Sequence, residues 1–358
     1  MDRRRFVVGT AAAAAAGTLA APAIAQGRRE LTMVMTWPRK TPGLGVNAER
    51  FAANVAQLTD GRLQIKVFGA GDVVPPFESL DAVASGTADL CHSTPYYWVG
   101  KHKGFNYFTG VPLGLTAQEM AAWMSFGGGQ ALWEELYAGF GVRPFYVGSS
   151  GTQAGGWFRR EVNTPDDFRG LKFRIAGLGG EVLRRMGVTT VITPPGEIAP
   201  ALMSGAVDGA DWVGPWNDMA FGLYRAAKYY YMPGLHEPGP GLEVIVNRSV
   251  YDSLPGEHQA AIRVAAAALA HETLADFTYH NTVSLGPLLK EHGVELRRFS
   301  EAVIRDMVVH AAEVVDELGR SDVMTAKIHA SFIDFLSRCR GYAPNAEGGF
   351  LAARALAG

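Results

Sequence analysis

The chain has 358 residues, enough for two domains with separate cores. Hydrophobic residues make up 48% and charged residues 19%, a balance that excludes disordered and fibrous classes. The net charge is −2, and Asp2, Arg3, Arg4 and Arg5 together contribute +2, leaving −4 for the rest; this argues against a nucleic-acid partner, which calls for a basic face.

Residues 1–25 read as an export signal. A basic start, MDRRRFVVGT, precedes the apolar run AAAAAAGTLAA, and Ala23-Ile24-Ala25 supplies small residues for cleavage. Arg3-Arg4 followed by Phe6 and Val7 also fits a twin-arginine signal. The run is shorter than the ~18 residues of a membrane span. The mature protein is therefore expected outside the cytoplasm, beginning near Gln26. Its two cysteines, Cys91 and Cys339, are far apart and make no disulfide framework; Cys91 reads as a small buried apolar residue.

ELTMVMTWP (30–38) reads as a strand. NAERFAANVAQLTDG (47–61) has helical spacing and ends on Gly61. A strand over RLQIKVFGAG, a short helix over PPFESLDAVASG and a strand over TADLCHS complete β-α-β-α-β. GVRPFYVGSSGTQAGGWFRR (141–160) reads as a long strand crossing to a second lobe. There the pattern returns: strand LKFRIAG, helix LGGEVLRRMG, strand VTTVIT, helix PPGEIAPALMSG, strand AVDGADWVG. PPFESLDAVASGTADL and PPGEIAPALMSGAVDG share a Pro-Pro opening and a Ser-Gly-x-x-Asp close, so the lobes repeat one βα logic. LEVIVNRSVYDSLP (242–255) reads as the return strand, and an Ala-rich helix follows from Glu257 to about His280. Two further helices follow Val294. The fold class is α/β, a two-lobed solute-binding fold. Lobe I comprises 26–150 with 242–256, and lobe II 151–241 with 281–320. Residues 257–280 form a spanning helix, and 321–358 a C-terminal helix and tail.

Catalytic motifs fail on inspection. GLGGEV places Val182 where G-x-G-x-x-G needs glycine, and His271-Glu272 is followed by Ala275 where a zinc protease needs histidine. Neither a Gly-x-Ser-x-Gly elbow nor a Walker loop occurs. Arg174 carries the strongest signal: a permanent charge set between the apolar Phe173 and Ile175 near a strand's C-terminal end. Polar and aromatic residues gather in STPYYWVG, at Gln153, in DWVGPWND and in GLHEPGPG. Ligands collect outside the carboxyl ends of strands in open α/β sheets, and clefts between lobes hold small molecules.

On LKFRIAG, LMSGAVDGADW, GLHEPG and DWVGPWND, the chain resembles the extracytoplasmic solute receptors of TRAP transporters, over about residues 30–340. It is most similar to the receptors that bind 2-oxo acids such as pyruvate beside a cation and form helix-swapped dimers. The resemblance implies that Arg174 binds the substrate carboxylate. Gln153 and Glu237 would hold Na⁺ or Ca²⁺ through side-chain oxygens, and Trp212 through its carbonyl while its ring covers the ligand. Tyr97 and Asn217 would complete the polar contacts, with Tyr96 and Asp218 as rivals. Arg supplies a planar fork for a carboxylate, and hard oxygens suit Na⁺ or Ca²⁺. Asp211 is a further candidate ligand, although neighbouring strand side chains face opposite ways. The implied partners are the small and large membrane permease subunits and a second copy, joined through the amphipathic run VMTAKIHASFIDFLSRC; no organic cofactor is implied. An exported enzyme acting on small 2-oxo or 2-hydroxy acids and a ligand-sensing partner of a membrane receptor are the alternatives.

Overall fold

The structure, a computed structural model, describes residues 28–357; the export signal expected over 1–25 lies outside the described residues. In chain order the strands are β1 (Arg29–Met35), β2 (Leu63–Phe68), β3 (Leu90–Ser93), β4 (Val142–Ser149), β5 (Gly156–Phe158), β6 (Lys172–Arg174), β7 (Thr189–Val191), β8 (Gly209–Ala210), β9 (Tyr229–Tyr231), β10 (Gly241–Asn247) and β11 (Glu295–Arg297). They form two sheets, ordered β2-β1-β3-β10-β4 and β11-β9-β5-β8-β6-β7. Strand β1 runs parallel to β2 and β3, with β10 inserted antiparallel between β3 and β4. In the second sheet β6 runs parallel to β7 and β8, while β5 runs antiparallel to β8 and β9. The result is two α/β lobes, each with its own sheet.

The local folds follow from pattern and punctuation. Helix Gly45–Leu58 buries Phe51, Ala52 and Val55 on one face. Its end turns at Gly61, which has φ +72° and donates from its backbone to Ala56 O at 2.8 Å. The repeated phrases build the same unit twice. Each opens as a 3₁₀ turn, Pro76–Glu78 or Pro195–Glu197, continues as a helix, Ser79–Ser85 or Ile198–Ser204, and closes on a left-handed glycine, Gly86 or Gly205. The terminal aspartates also share a role. Asp89 Oδ2 accepts from Thr32 N at 2.7 Å in lobe I, and Asp208 Oδ2 accepts from Lys172 N at 2.8 Å in lobe II.

The long strand expected over 141–160 is two strands in different sheets, β4 and β5, joined by a crossing segment. Gly148, with φ +108°, sits where an added Cβ would lie 2.7 Å from Ala270 O, so the chain bends hard against the long helix. That helix runs Gly256–Glu291, past the expected stop near His280. Pro287 lies inside it, and the carbonyl left without a donor belongs to Val283, which is 48% exposed and can be served by water. The helix packs on β4 and on helix Gly45–Leu58 in lobe I, and on helix Pro215–Ala220 in lobe II. The C-terminal helix Val323–Tyr342 turns its apolar face inward: Ile328, Phe332 and Leu336 are buried, and Phe332 meets Trp123 edge-on at 5.2 Å. Cys91 and Cys339 are both free and buried. Among the described residues no helix is long and apolar enough to cross a membrane.

Candidate functional site

Arg174 ends β6 and is fully buried. Its Nη1 donates to the main-chain oxygen of Asp211 at 2.7 Å, and Nη2 to that of Thr193 at 3.2 Å. Its Nε has no protein partner. The guanidinium lies 5.8 Å from the Trp212 ring centroid and 3.8 Å from Asp211 Oδ2. A buried fork with a free donor, beside an aromatic face, suits a small carboxylate.

Gln153 and Glu237 meet on the segments that connect the lobes. Gln153 N donates to Glu237 O at 3.1 Å, and Gln153 O accepts from Gly234 N at 2.7 Å. The Gln153 amide nitrogen donates to Ser150 Oγ at 3.0 Å, which leaves Oε1 as its free end. Gln153 Oε1, Glu237 Oε2 and both carboxylate oxygens of Asp211 are buried without hydrogen-bond partners from the protein. Asp211, His236 and Glu237 each offer a ligand atom within 4.8 Å of the others. Buried oxygens are seldom left unpaired. Amide and carboxylate oxygens so gathered fit a hard cation such as Na⁺ or Ca²⁺.

The electrostatics point the same way. Burial, with the charge of Asp211 adding to it, pushes the Glu237 carboxyl up to about 8, against the opposing pull of His236 and Arg174. His236 Nε2 lies 3.2 Å from Asp211 Oδ1. Burial opposes the charge on that imidazole, but Asp211 and Glu237 outweigh it and raise its pKa. A cation would relieve the carboxylates where the protein alone does so incompletely.

Lobe I contributes tyrosines. Tyr97 OH is buried without a partner, and burial pushes the phenol up to about 12. Its rival Tyr96 faces the other lobe, since a Cβ added at Gly177 would lie 3.1 Å from Tyr96 Cδ1. Lobe II contributes Asn217, whose Nδ2 donates to Pro42 O of lobe I at 2.9 Å while Oδ1 stays buried and unpartnered. Asp218, its rival, is committed elsewhere. It accepts from Trp157 Nε1 and Tyr230 OH, both at 2.9 Å, and from the backbone of Val213 and Gly214, both at 3.1 Å. A further lobe-to-lobe bond runs from Leu113 N to Leu235 O at 2.8 Å.

Arg174, Asp211 and Trp212 therefore come together, as do Gln153 and Glu237, with Glu237 linked to the first group through Asp211. Alternation along a strand argued against Asp211, but β8 ends at Ala210, so the rule does not reach residues 211 and 212. The sequence also gave no role to His236. It sits beside Glu237, but its contact is with a residue 25 positions away, which no local motif records.

Two lobes joined by crossing segments and a spanning helix, with a buried charged cluster at their junction, define a two-lobed solute-binding protein. The chain belongs to the bacterial extracellular solute-binding protein family 7 (DctP), whose model matches residues 33–322. It is 39% identical over 303 residues to the monocarboxylate 2-oxoacid-binding periplasmic protein of Nostoc sp., covering 85% of this chain and 83% of that one. A TRAP transporter solute-binding protein from Bordetella bronchiseptica, a mixed-occupancy dimer with copurified calcium and picolinate, superposes with TM-score 0.89 and 31% identity, covering 92% of this chain and 99% of that one. A TRAP periplasmic solute-binding protein from Pseudoalteromonas atlantica, with bound sodium and pyruvate, gives TM-score 0.88 and 35% identity, covering 91% and 99%.

Proposed function

We propose that this protein is the periplasmic receptor of a TRAP transporter and binds a 2-oxo monocarboxylate of the pyruvate class together with Na⁺ or Ca²⁺. The observation that carries the reading is the cluster of buried, unpartnered oxygens on Gln153, Asp211 and Glu237 beside the Arg174 fork. Arg174 takes the carboxylate. Gln153 Oε1, Glu237 Oε2 and the Trp212 carbonyl hold the cation, which the 2-oxo group and one carboxylate oxygen chelate from the other side. Tyr97 and Asn217 complete the polar contacts, and the Trp212 ring covers the ligand. The ligand's negative charge then meets compensation on both sides, which a buried carboxylate needs.

Placing cation ligands on the crossing segments ties occupancy to closure of lobe I over lobe II, and the closed form is what permease subunits receive. The protein acts as a receptor and not as an enzyme, so purified protein should leave pyruvate unchanged. Export by the twin-arginine route follows from Arg3-Arg4. A homodimer would use the terminal segment, where Phe350, Leu351 and Leu356 are 62%, 41% and 90% exposed, because the apolar face of Val323–Tyr342 is already covered. Native mass spectrometry of protein purified without added ligand tests the central reading. The expected mass excess is one small 2-oxo acid plus one Na⁺ or Ca²⁺ per chain; a dicarboxylate or an amine in its place would contradict it.

A further inference from the structure

Glu243 is a buried acid in lobe I, outside the cluster at the lobe junction. It lies on β10, is fully buried, and accepts from Trp98 Nε1 at 2.8 Å and from Tyr137 OH at 2.7 Å. Both donors are neutral, and among the described residues no cation pairs with it. Burying an acid with no opposite charge beside it is unfavourable, and an apolar side chain of similar volume would avoid that cost. What the acid adds is two fixed acceptors in an otherwise apolar core. One of them holds a turn that carries a ligand contact. Trp98 closes the short turn Pro95–Trp98, and Tyr97 is its neighbour. The two side chains point different ways, with ring planes at 74°. Trp98 enters the lobe I core, whereas Tyr97 faces the cleft, where burial raises its phenol and the Arg174 charge draws it back. The Tyr97 hydroxyl is buried without a partner, and its ring packs on Phe77 and Tyr96, both at 4.9 Å. Its aim therefore depends on the turn. The turn's own bond from Tyr97 N to Thr94 O is long, 3.4 Å, and shorter bonds tie its flanks: Thr94 Oγ1 to Gly241 O and Tyr96 N to Thr109 Oγ1, both 2.9 Å. Gly241 and Glu243 share β10, the strand that follows the segment carrying Glu237.

We propose that Glu243 is a positioning residue for ligand binding: by holding Trp98 Nε1 it fixes the turn that aims the Tyr97 hydroxyl at the ligand. The inference rests on the reading of Tyr97 as a ligand contact. Glu243 touches neither acid nor cation and acts through the Trp98 indole. Because Tyr97 and Trp98 are adjacent in a short turn, a rotation at Trp98 passes to the Tyr97 backbone. Without the anchor the hydroxyl loses its fixed aim, and affinity falls by up to the worth of the contact it makes. For about one hydrogen bond that is roughly five- to tenfold.

The test is a double-mutant cycle read by calorimetry, titrating pyruvate into full-length protein at saturating Ca²⁺. Glu243→Leu should weaken pyruvate binding roughly five- to tenfold. Glu243→Gln, which keeps an acceptor for the indole, should lose less. In a Tyr97→Phe background Glu243→Leu should cost less than about twofold further, because the hydroxyl it aims is gone. A merely structural role would cost the same factor in both backgrounds. That additivity, or native affinity in Glu243→Leu, overturns the inference and leaves the receptor reading standing. If Glu243→Leu melts too low to titrate, Trp98→Phe, which removes the indole donor and keeps an aromatic ring in the core, carries the same comparison. Native affinity in Tyr97→Phe alone would remove Tyr97 from the ligand contacts and the inference with it, whereas Arg174 and the cation are judged by their own titrations.

Discussion

Arg174→Ala removes the group on which the carboxylate reading depends, and its cost divides into two parts. One falls on the fold: the carbonyls of Asp211 and Thr193 lose donors, and the Asp211 carboxylate loses the cation 3.8 Å away. The other falls on binding, because the ligand carboxylate enters a closed site without its partner. Truncating one side of a buried charge pair costs about 2–5 kcal/mol, or roughly 30-fold to several thousand-fold in affinity. Arg174→Lys keeps the charge but gives up the planar fork and one of two carbonyl contacts, so an intermediate loss of about 1–2 kcal/mol is expected. Calorimetry with pyruvate at saturating cation, after a thermal melt shows each variant folded, should order affinity as native, Lys variant, Ala variant. Affinity within threefold of native for a folded Arg174→Ala would refute the assignment of Arg174 as the carboxylate clamp.

Other consequences can be checked separately. With its carboxyl pushed up to about 8, Glu237 holds a proton that a cation must displace, so cation affinity should rise roughly tenfold per pH unit between pH 6 and 8 and level off above; a flat profile contradicts that role. Glu243 is fully buried, receives hydrogen bonds from Trp98 Nε1 at 2.8 Å and Tyr137 OH at 2.7 Å, and is pushed by burial up to about 8. Its folded-state affinity for a proton exceeds the unfolded one, so this contribution to stability is complete below about 4.5 and is lost as pH rises through 8. The native Tm should therefore fall between pH 5 and 8.5 by on the order of 5 °C more than that of Glu243→Gln, and parallel melting curves would contradict it. Gly110→Ala would place a Cβ 2.8 Å from Glu237 Cγ, so it should weaken cation-dependent pyruvate binding at least tenfold without changing any charge, as read by the same calorimetry.

Much of the fold was legible because its signals are local. Paired Pro-Pro openings and Ser-Gly-x-x-Asp closings marked the repeated βα unit, and the structure gives both aspartates one hydrogen-bonding job. Arg174 stood out because it sets a permanent charge near the C-terminal end of a strand, on the face opposite Phe173 and Ile175, and it is fully buried. The misses are long-range. Residues 141–160 read as one extended strand, yet near the end of β4 Gly148 takes φ +108° and its backbone presses against Ala270 of the long helix, over a hundred positions away. The Ala-rich helix was expected to end near His280, yet it continues through Pro287 to Glu291 because packing along its length outweighs one lost hydrogen bond. Asp211 and His236 form a pair only once β8 has ended and the 234–240 loop has returned beside it. No spacing rule links those two positions, whereas Asn217 and Asp218 were separated by their bonding: one keeps a free buried oxygen, the other has none to spare.

The central claim is that acid and cation bind as one unit. Calorimetry of pyruvate on chelated, desalted native protein and on Glu237→Ala, each with and without saturating Ca²⁺, tests it most directly. The expected result is a cation-dependent gain of at least about 30-fold in the native protein, in line with about 2 kcal/mol for a buried charge partner, and little or none in the variant. Equal pyruvate affinity in all four titrations would contradict the account and leave Arg174 as an unassisted clamp.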